Sequence, residues 1–207
     1  MNLTRYFKMG ALALGVAAAI TLQNTVAEAQ NDQKITVAGG CFWCVESDFE
    51  GVDGVSEVIS GYTDGSSGRF EAVEIYFDQE VITEREIYDL FFRSIDPFDA
   101  GGQFCDRGDT YRTAIFISNS AQLDAAQAAK SAAESELGQH IVTQILDASE
   151  FNEAQGYHQN YYRSQQRVIT RRGIQTQAEA YSFYRNACGR DQRVEAIWGR
   201  DAPFIHH

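Results

Sequence analysis

The sequence predicts an α+β fold of the split βαβ, ferredoxin-like type, in which helices pack on a mixed sheet to form a two-layer sandwich, followed by an irregular C-terminal tail. Two observations predict it. The apolar periodicity gives the order strand, helix, strand, strand, helix, strand. The chain has 207 residues, 44% of them hydrophobic, which is enough to bury the core of one domain of ordinary size.

The first half of this order follows from short apolar segments. Residues 35–38 predict a strand, and the helix after it has apolar residues at spacings of three and four (Phe42, Val45, Phe49 and Val52). Residues 55–60 and 72–77 predict two more strands. The Gly- and Ser-rich segment 61–68 lies between them, so we predict a turn there and a hairpin overall.

The second half begins with a helix after Thr83, because Glu86 completes a capping box, and Pro97 ends that helix. Residues 112–118 predict a strand, 121–137 an Ala-rich helix and 141–146 another strand. The pattern weakens beyond residue 150. It predicts short helices near 153–163 and 178–187, joined by a basic, irregular stretch at 163–172.

The N-terminus has the features of a secretory signal peptide. Arg5 and Lys8 precede an apolar segment at 11–22, and Ala27-Glu28-Ala29 offers a small-residue cleavage site. The apolar segment is shorter than the ~20 residues that span a bilayer. We therefore predict a signal peptide at 1–29 cleaved after Ala29, a single catalytic domain at 30–207, and a periplasmic or secreted protein that is not bound to the membrane.

The net charge and the cysteine content argue against several classes of partner and ligand. The formal net charge of −12 argues against nucleic acid or an anionic membrane surface as partner. The four cysteines lie in the part predicted to be exported, where disulfides are favoured. One CxxC is present without the second close pair of a typical Cys₄ zinc site, so we predict no metal. Redox chemistry is the better use for these thiols.

Cys41 is the predicted nucleophile. It lies in Gly39-Gly40-Cys41-Phe42-Trp43-Cys44, where the first strand turns into the first helix. The unpaired N–H groups of a first helical turn carry a partial positive charge. We therefore expect an accessible Cys41 thiolate whose pKa is below the free value of about 8.5. Phe42 and Trp43 predict a small hydrophobic pocket over it.

Five motifs occur in order along the chain: Gly40-Cys41-Phe42-Trp43, Gly61-Tyr62-Thr63, Glu71-Ala72-Val73, the 103–112 loop with Asp106, Gly108 and Tyr111, and Tyr157-His158-Gln159. Through them the chain resembles the A-type peptide-methionine sulfoxide reductases from about residue 34 to residue 198. The resemblance implies reduction of the S epimer of methionine sulfoxide, free or in proteins, to methionine. It also implies a sulfenic acid, a disulfide and a thioredoxin-like electron donor, with no bound cofactor; we expect a monomer.

The chemistry of this reaction assigns roles to particular residues of these motifs. A soft nucleophile must attack sulfur while the departing oxygen is protonated, and Cys41 can supply the nucleophile. Glu71 can supply the proton, because an apolar pocket would raise the pKa of its carboxyl group. Tyr62 and Tyr111 can donate hydrogen bonds to the sulfoxide oxygen.

The remaining assignments come from the resemblance alone. It implies that Phe42 and Trp43 enclose the terminal methyl group of the substrate, and that Asp106 orients neighbouring donors or the substrate backbone. The segment from Tyr62 to Glu71 is shorter than the usual loop of the family. The resemblance therefore does not determine how the substrate reaches the site on that side.

The thiol that condenses with the sulfenic acid of Cys41 is also open. The candidates are Cys188, Cys44 and Cys105. We favour Cys188 slightly over Cys44, because a tail residue can move to the nucleophile, whereas a disulfide within the first helical turn requires local distortion.

Two other functions compete with this prediction. A periplasmic, thioredoxin-like dithiol-disulfide oxidoreductase would use Cys41 and Cys44 as its redox pair, but that class requires a cis-proline facing the CxxC. Neither Pro97 nor Pro203 lies before a predicted strand. A non-catalytic secreted binding domain held by two disulfides would have no free thiol and no turnover.

Overall fold

A computed structural model of the protein describes residues 32–65, 68–200 and 202–205. The predicted signal peptide lies outside these residues. The strands are β1 (Asp32–Gly39), β2 (Val55–Gly65), β3 (Gly68–Asp78), β4 (Gly102–Gln103), β5 (Asp106–Arg107), β6 (Thr113–Ile117), β7 (Gln144–Asp147), β8 (Phe151–Glu153), β9 (Arg167–Thr170) and β10 (Gly173–Thr176). The helices are α1 (Phe42–Phe49), α2 (Glu84–Phe92), α3 (Ser120–Leu137), α4 (Gln177–Ala187) and α5 (Arg190–Trp198).

The main sheet has six strands in the order β7-β6-β1-β3-β2-β8. Its inner part, β6-β1-β3-β2, is the strand order of a split βαβ unit. β6 and β7 pair in parallel, and the other pairs of this sheet are antiparallel. The predicted α+β fold with a mixed sheet is therefore confirmed.

Both faces of the sheet are covered. On one face, α1, α2 and α3 pack over a cluster that includes Val73, Ile75 and Phe77 of β3. The opposite face holds a smaller cluster with Phe70 and Phe116, whose rings meet edge to face at 5.5 Å. Because side chains alternate along a strand, Glu71 lies on the same face as Val73, towards the helices.

The hairpin of β2 and β3 is longer than predicted. The two strands stay paired from Gly61 with Ala72 to Gly65 with Gly68, so the predicted turn at 61–68 is wrong in extent. The ladder continues because β8 also pairs with β2 from the other side. Tyr62 pairs directly with Glu71, which therefore lies inside β3.

Helix boundaries agree better with the sequence. Thr83 caps α2, and its hydroxyl and the side chain of Glu86 form both bonds of the predicted capping box. The helix predicted at 121–137 begins one residue earlier, at Ser120, after an Asn119 cap. Among the described residues, no helix is long and apolar enough to cross a membrane.

The C-terminal region is more regular than predicted. α4 confirms the helix near 178–187, but the stretch at 163–172 contains β9, which pairs with β10 over four positions. The helix predicted near 153–163 is also wrong, because this segment holds β8 and a short 3₁₀ turn at Tyr161–Arg163. α5 was not predicted at all.

Candidate active site

Cys41 lies at the start of α1, as predicted. It is the N-cap residue, and its carbonyl oxygen accepts the backbone N–H of Cys44 at 3.1 Å. The preceding turn requires glycine, since Gly40 has φ +85° and a Cβ there would lie 2.5 Å from the Cβ of Gln103. Gln103 is fixed by two hydrogen bonds to the backbone of Asp96. The position of the nucleophile is therefore tightly determined.

The predicted accessibility and acidity of Cys41 are wrong. Only 6% of Cys41 is exposed. Burial raises the pKa of the Cys41 thiol well above its ordinary value, and its hydrogen bond with Cys44 and the charges of Glu71 and Asp106 add to this effect. The field of the first helical turn does not overcome this desolvation.

Residues of the C-terminal region pack over Cys41 and bury it. Cys41 and Cys44 form a cluster with Tyr181 of α4, and further aromatic residues pack around it. Trp43 stacks on Tyr161 with a ring separation of 3.8 Å. Sequence reasoning missed these tyrosines, and the signal available was their density: Tyr161, Tyr162, Tyr181 and Tyr184.

Cys44 is the second buried thiol, and the two thiols are hydrogen-bonded to each other. This bond lowers the pKa of the Cys44 thiol; burial opposes the effect, and the positive charges of Arg190 and Arg185 support it. Because Cys41 is the N-cap residue, with ψ 119°, its side chain is not constrained by helical geometry.

Cys105 and Cys188 form a disulfide, with their Cα atoms 5.1 Å apart. Neither of these two candidates therefore has a free thiol here, and the slight preference for Cys188 as the resolving thiol stays a prediction. Cys105 is exposed and Cys188 half-buried. Of the three candidates for resolving the sulfenic acid, Cys44 therefore lies beside Cys41 with its thiol free.

Glu71 faces the nucleophile. Its Oε2 accepts the backbone N–H of Phe42, the residue after Cys41, at 3.2 Å. Burial raises the pKa of Glu71 to about 7, assisted by the negative charge of Asp106 and opposed by the hydrogen bonds from Phe42 and Tyr111. The predicted upward shift of this pKa is confirmed, and the group holds a proton near neutral pH.

Both predicted tyrosines lie at the same site. Tyr111 ends a 3₁₀ turn at Asp109–Tyr111 and hydrogen-bonds to Glu71. Burial raises the pKa of Tyr111 to about 12, with contributions from the charges of Glu71, Asp106 and Cys41. Burial and Glu71 likewise raise the pKa of Tyr62. Both hydroxyl groups stay protonated at neutral pH and can donate hydrogen bonds.

An aromatic wall lies beside the thiol. Phe42 contacts Tyr62 at 5.5 Å between ring centroids and His158 at 5.3 Å. Trp43 is 5.6 Å from His158. Phe42 is fully packed into the main core, whereas Trp43 is partly exposed. Burial lowers the pKa of His158, which favours the neutral ring, and this ring completes the aromatic wall.

Asp106 occupies β5. It accepts a hydrogen bond from the hydroxyl of Tyr184 in α4. Burial raises the pKa of Asp106, and the charge of Arg190 opposes that shift. The side chain therefore fixes the hydroxyl of Tyr184, which belongs to the C-terminal region that sequence reasoning left unassigned, and the role of Asp106 towards the substrate stays a prediction.

Comparison with known proteins decides between the candidate functions. Residues 33–192 match the family model described as peptide methionine sulfoxide reductase. The chain belongs to this family. A relative from Rhizobium meliloti (strain 1021), peptide methionine sulfoxide reductase MsrA 2, is 43% identical over 184 residues, which cover 84% of this chain and 87% of that protein.

Solved structures agree with the family assignment. The crystal structure of Mxr1 from Saccharomyces cerevisiae in reduced form matches with a TM-score of 0.60 and 29% identity, over 65% of this chain and 86% of that chain. Mxr1 has also been solved in complex with Trx2, and that chain matches with a TM-score of 0.50 and 28% identity, over 65% of this chain and 91% of the other. The protein is thus an oxidoreductase of the peptide methionine sulfoxide reductase family.

Proposed function

We propose that this protein reduces the S epimer of methionine sulfoxide, in proteins and as the free amino acid, with Cys41 as nucleophile and Glu71 as proton donor. The observation that carries the proposal is the hydrogen bond between Glu71 and the N–H of Phe42, which holds a carboxyl group with a pKa of about 7 beside Cys41. Family membership supplies the reaction class.

The first step uses both groups. The sulfur of Cys41 attacks the sulfoxide sulfur while Glu71 protonates the sulfoxide oxygen, and Tyr62 and Tyr111 donate hydrogen bonds to that oxygen. The oxygen passes to Cys41, methionine leaves, and the thiol proton of Cys41 restores Glu71. The net change is one thiol and one sulfoxide converted to one sulfenic acid and one thioether. Phe42 and Trp43 contact the methyl end of the substrate.

The enzyme then has to be reduced. A second thiol condenses with the sulfenic acid, and a thioredoxin-like protein returns two electrons through the resulting disulfide, without a bound cofactor. The solved complex of Mxr1 with Trx2 supports this class of donor. The predicted signal peptide supports work in the periplasm or outside the cell. The substrates in this proposal are oxidised proteins and free methionine sulfoxide, and the enzyme acts as a monomer.

The test is reduction of each epimer of a methionine sulfoxide substrate with dithiothreitol as electron source. We expect turnover of the S epimer by the wild type and none by Cys41→Ser. Equal rates on both epimers, or an active Cys41→Ser protein, would overturn the proposal. A thioredoxin-like dithiol oxidoreductase would instead act on protein disulfides and leave both sulfoxides unchanged.

A further inference from the structure

Two arginines are buried beside the thiol pair, and Arg190 links the C-terminal region to the turn of the nucleophile. Arg190 is 1% exposed at the start of α5. It donates to the carbonyl oxygen of Ser94 at 2.8 Å and to that of Gly39 at 3.4 Å. Gly39 lies two residues before Cys41, so this guanidinium group braces the backbone that carries the thiols.

The positive charge of Arg190 is less neutralised than that of Arg185. Arg185 binds Asp48 at 2.6 Å and Asp191 at 2.7 Å. Within the described part of the chain, Arg190 has an ion pair only with Asp48, at the longer distance of 3.4 Å, and its Nε–H has no hydrogen-bond partner. Asp48 is shared between the two arginines, so the charge of Arg190 is only partly neutralised and favours a negative charge nearby, as its effect on Asp106 also indicates.

Cys44 is the group that this charge reaches. Asp48, which contacts both arginines, lies one helical turn beyond Cys44 on the same side of α1. Burial opposes ionisation of the thiol, whereas the bond with Cys41 and the two guanidinium groups favour it. The titratable and charged groups around Cys44 are Cys41 and Asp48 from α1, Tyr181, Tyr184 and Arg185 from α4, and Arg190 from α5.

We propose that Arg190 is a positioning residue for the second step of the reaction, which braces the Gly39 turn and places a positive charge beside Cys44 for its attack on oxidised Cys41. This inference rests on the proposed role of Cys41. The Cys44 thiolate attacks the sulfenic sulfur, an S–S bond forms, and the S–O bond breaks with hydroxide leaving as water after it takes a proton. Cys44 is oxidised and the sulfenic sulfur is reduced by the same electron pair.

A titration tests the charge effect without catalysis. In unreduced Cys41→Ser protein, Cys44 is the one free thiol of the described chain, and serine keeps a hydroxyl donor beside it. Thiolate absorbance near 240 nm should give a midpoint below the ordinary thiol value. Adding Arg190→Met should raise that midpoint by about one pH unit, a tenfold loss of thiolate, and Arg190→Lys should restore most of it. A midpoint at or above the ordinary value in Cys41→Ser alone overturns the proposal, whether or not the Met variant folds.

A single-turnover experiment tests the step itself. Enzyme without external reductant is mixed with one equivalent of the S sulfoxide; methionine release reports the first step, and peptide mapping reports the Cys41–Cys44 disulfide. In Arg190→Met, the rate of disulfide formation relative to the rate of methionine release by the same protein should be roughly tenfold lower than in the wild type at neutral pH. The difference should shrink at high pH, where Cys44 ionises in both proteins.

Arg193→Met is the matched control, because Arg193 lies on the same helix, is about half exposed, and binds Asp96 at 2.6 Å on the surface. It should behave like the wild type. No methionine release from the wild type would refute the proposed function itself. Normal release with an unchanged rate of disulfide formation in Arg190→Met, or with mapping that finds no Cys41–Cys44 bond, would refute only the role of Arg190.

Discussion

Glu71 of β3 accepts the N–H of Phe42 at the start of α1, across a distance of 3.2 Å. This bond joins the sheet to the helix that carries Cys41 at the point where the two must act together. It satisfies one of the unpaired N–H groups of the helix, and it places the carboxyl group beside the nucleophile. The bond therefore holds a proton donor and a thiol next to each other where β3 meets the start of α1.

Replacing Glu71 by Gln should slow the sulfoxide step by ~10²-fold or more, the usual size of a general-acid effect. The amide has nearly the shape of the carboxyl group, and its oxygen can still accept the N–H of Phe42, so the fold should persist. Single-turnover release of methionine measures the rate, and circular dichroism checks the fold. A folded Glu71→Gln protein with an unchanged rate would remove Glu71 from the mechanism.

The rate of the first step should fall as the pH rises above about 7. The pKa of Glu71 is raised by burial from 4.5 to about 7, so the acid form that donates the proton persists up to neutrality and is lost above it. Methionine release measured from pH 5.5 to pH 9 should show this descending limb, and Glu71→Gln should lack it. A rate that rises through the whole range would mean that another group limits the step.

Gly40→Ala should damage activity much more than an alanine elsewhere in the same region. The new Cβ would lie 2.5 Å from the Cβ of Gln103, at a backbone φ of +85° that alanine rarely adopts. Either the turn or Gln103 has to move, which displaces Cys41. Gly51→Ala is the matched control, because a Cβ there meets no heavy atom within 4 Å. Equal activities for the two variants would show that the turn is more adaptable than its contacts indicate.

The two classes of cysteine should respond differently to serine. Cys188→Ser should keep its activity with dithiothreitol, since an external dithiol can reduce the enzyme without the Cys105–Cys188 pair. Cys44→Ser should still release one methionine per molecule but leave a sulfenic acid that dimedone traps. Loss of dithiothreitol-driven activity in Cys188→Ser would contradict this, as would a Cys44→Ser protein that forms a Cys41–Cys188 disulfide as fast as the wild type loses its thiols.

The sequence was most informative where neighbouring residues determine the structure. The strand-to-helix junction at Cys41 and the capping box at Thr83 depend on residues a few positions apart, and both occur as predicted. The raised pKa of Glu71 was also predictable, because an apolar strand next to an apolar turn already implied a desolvated carboxyl group.

Contacts between distant segments were not predictable in this way. The burial of Cys41 depends on tyrosines at least 120 positions away in the sequence, such as Tyr161 and Tyr181. The pairing of Cys105 with Cys188 joins residues separated by 83 positions, and four cysteines allow three pairings. The extended hairpin of β2 and β3 likewise depends on β8, which follows much later in the chain.

The Cys105–Cys188 bond makes the thermal stability of the protein depend on its turnover. A crosslink over 83 positions restricts the unfolded chain, with an entropic benefit of about 4 to 5 kcal/mol in the chain-entropy treatment. Cys105 is exposed, so the reducing equivalents that sustain turnover can also cut this tether. Enzyme in rapid turnover would then have a lower thermal stability than resting enzyme, because more of its molecules would have lost the crosslink.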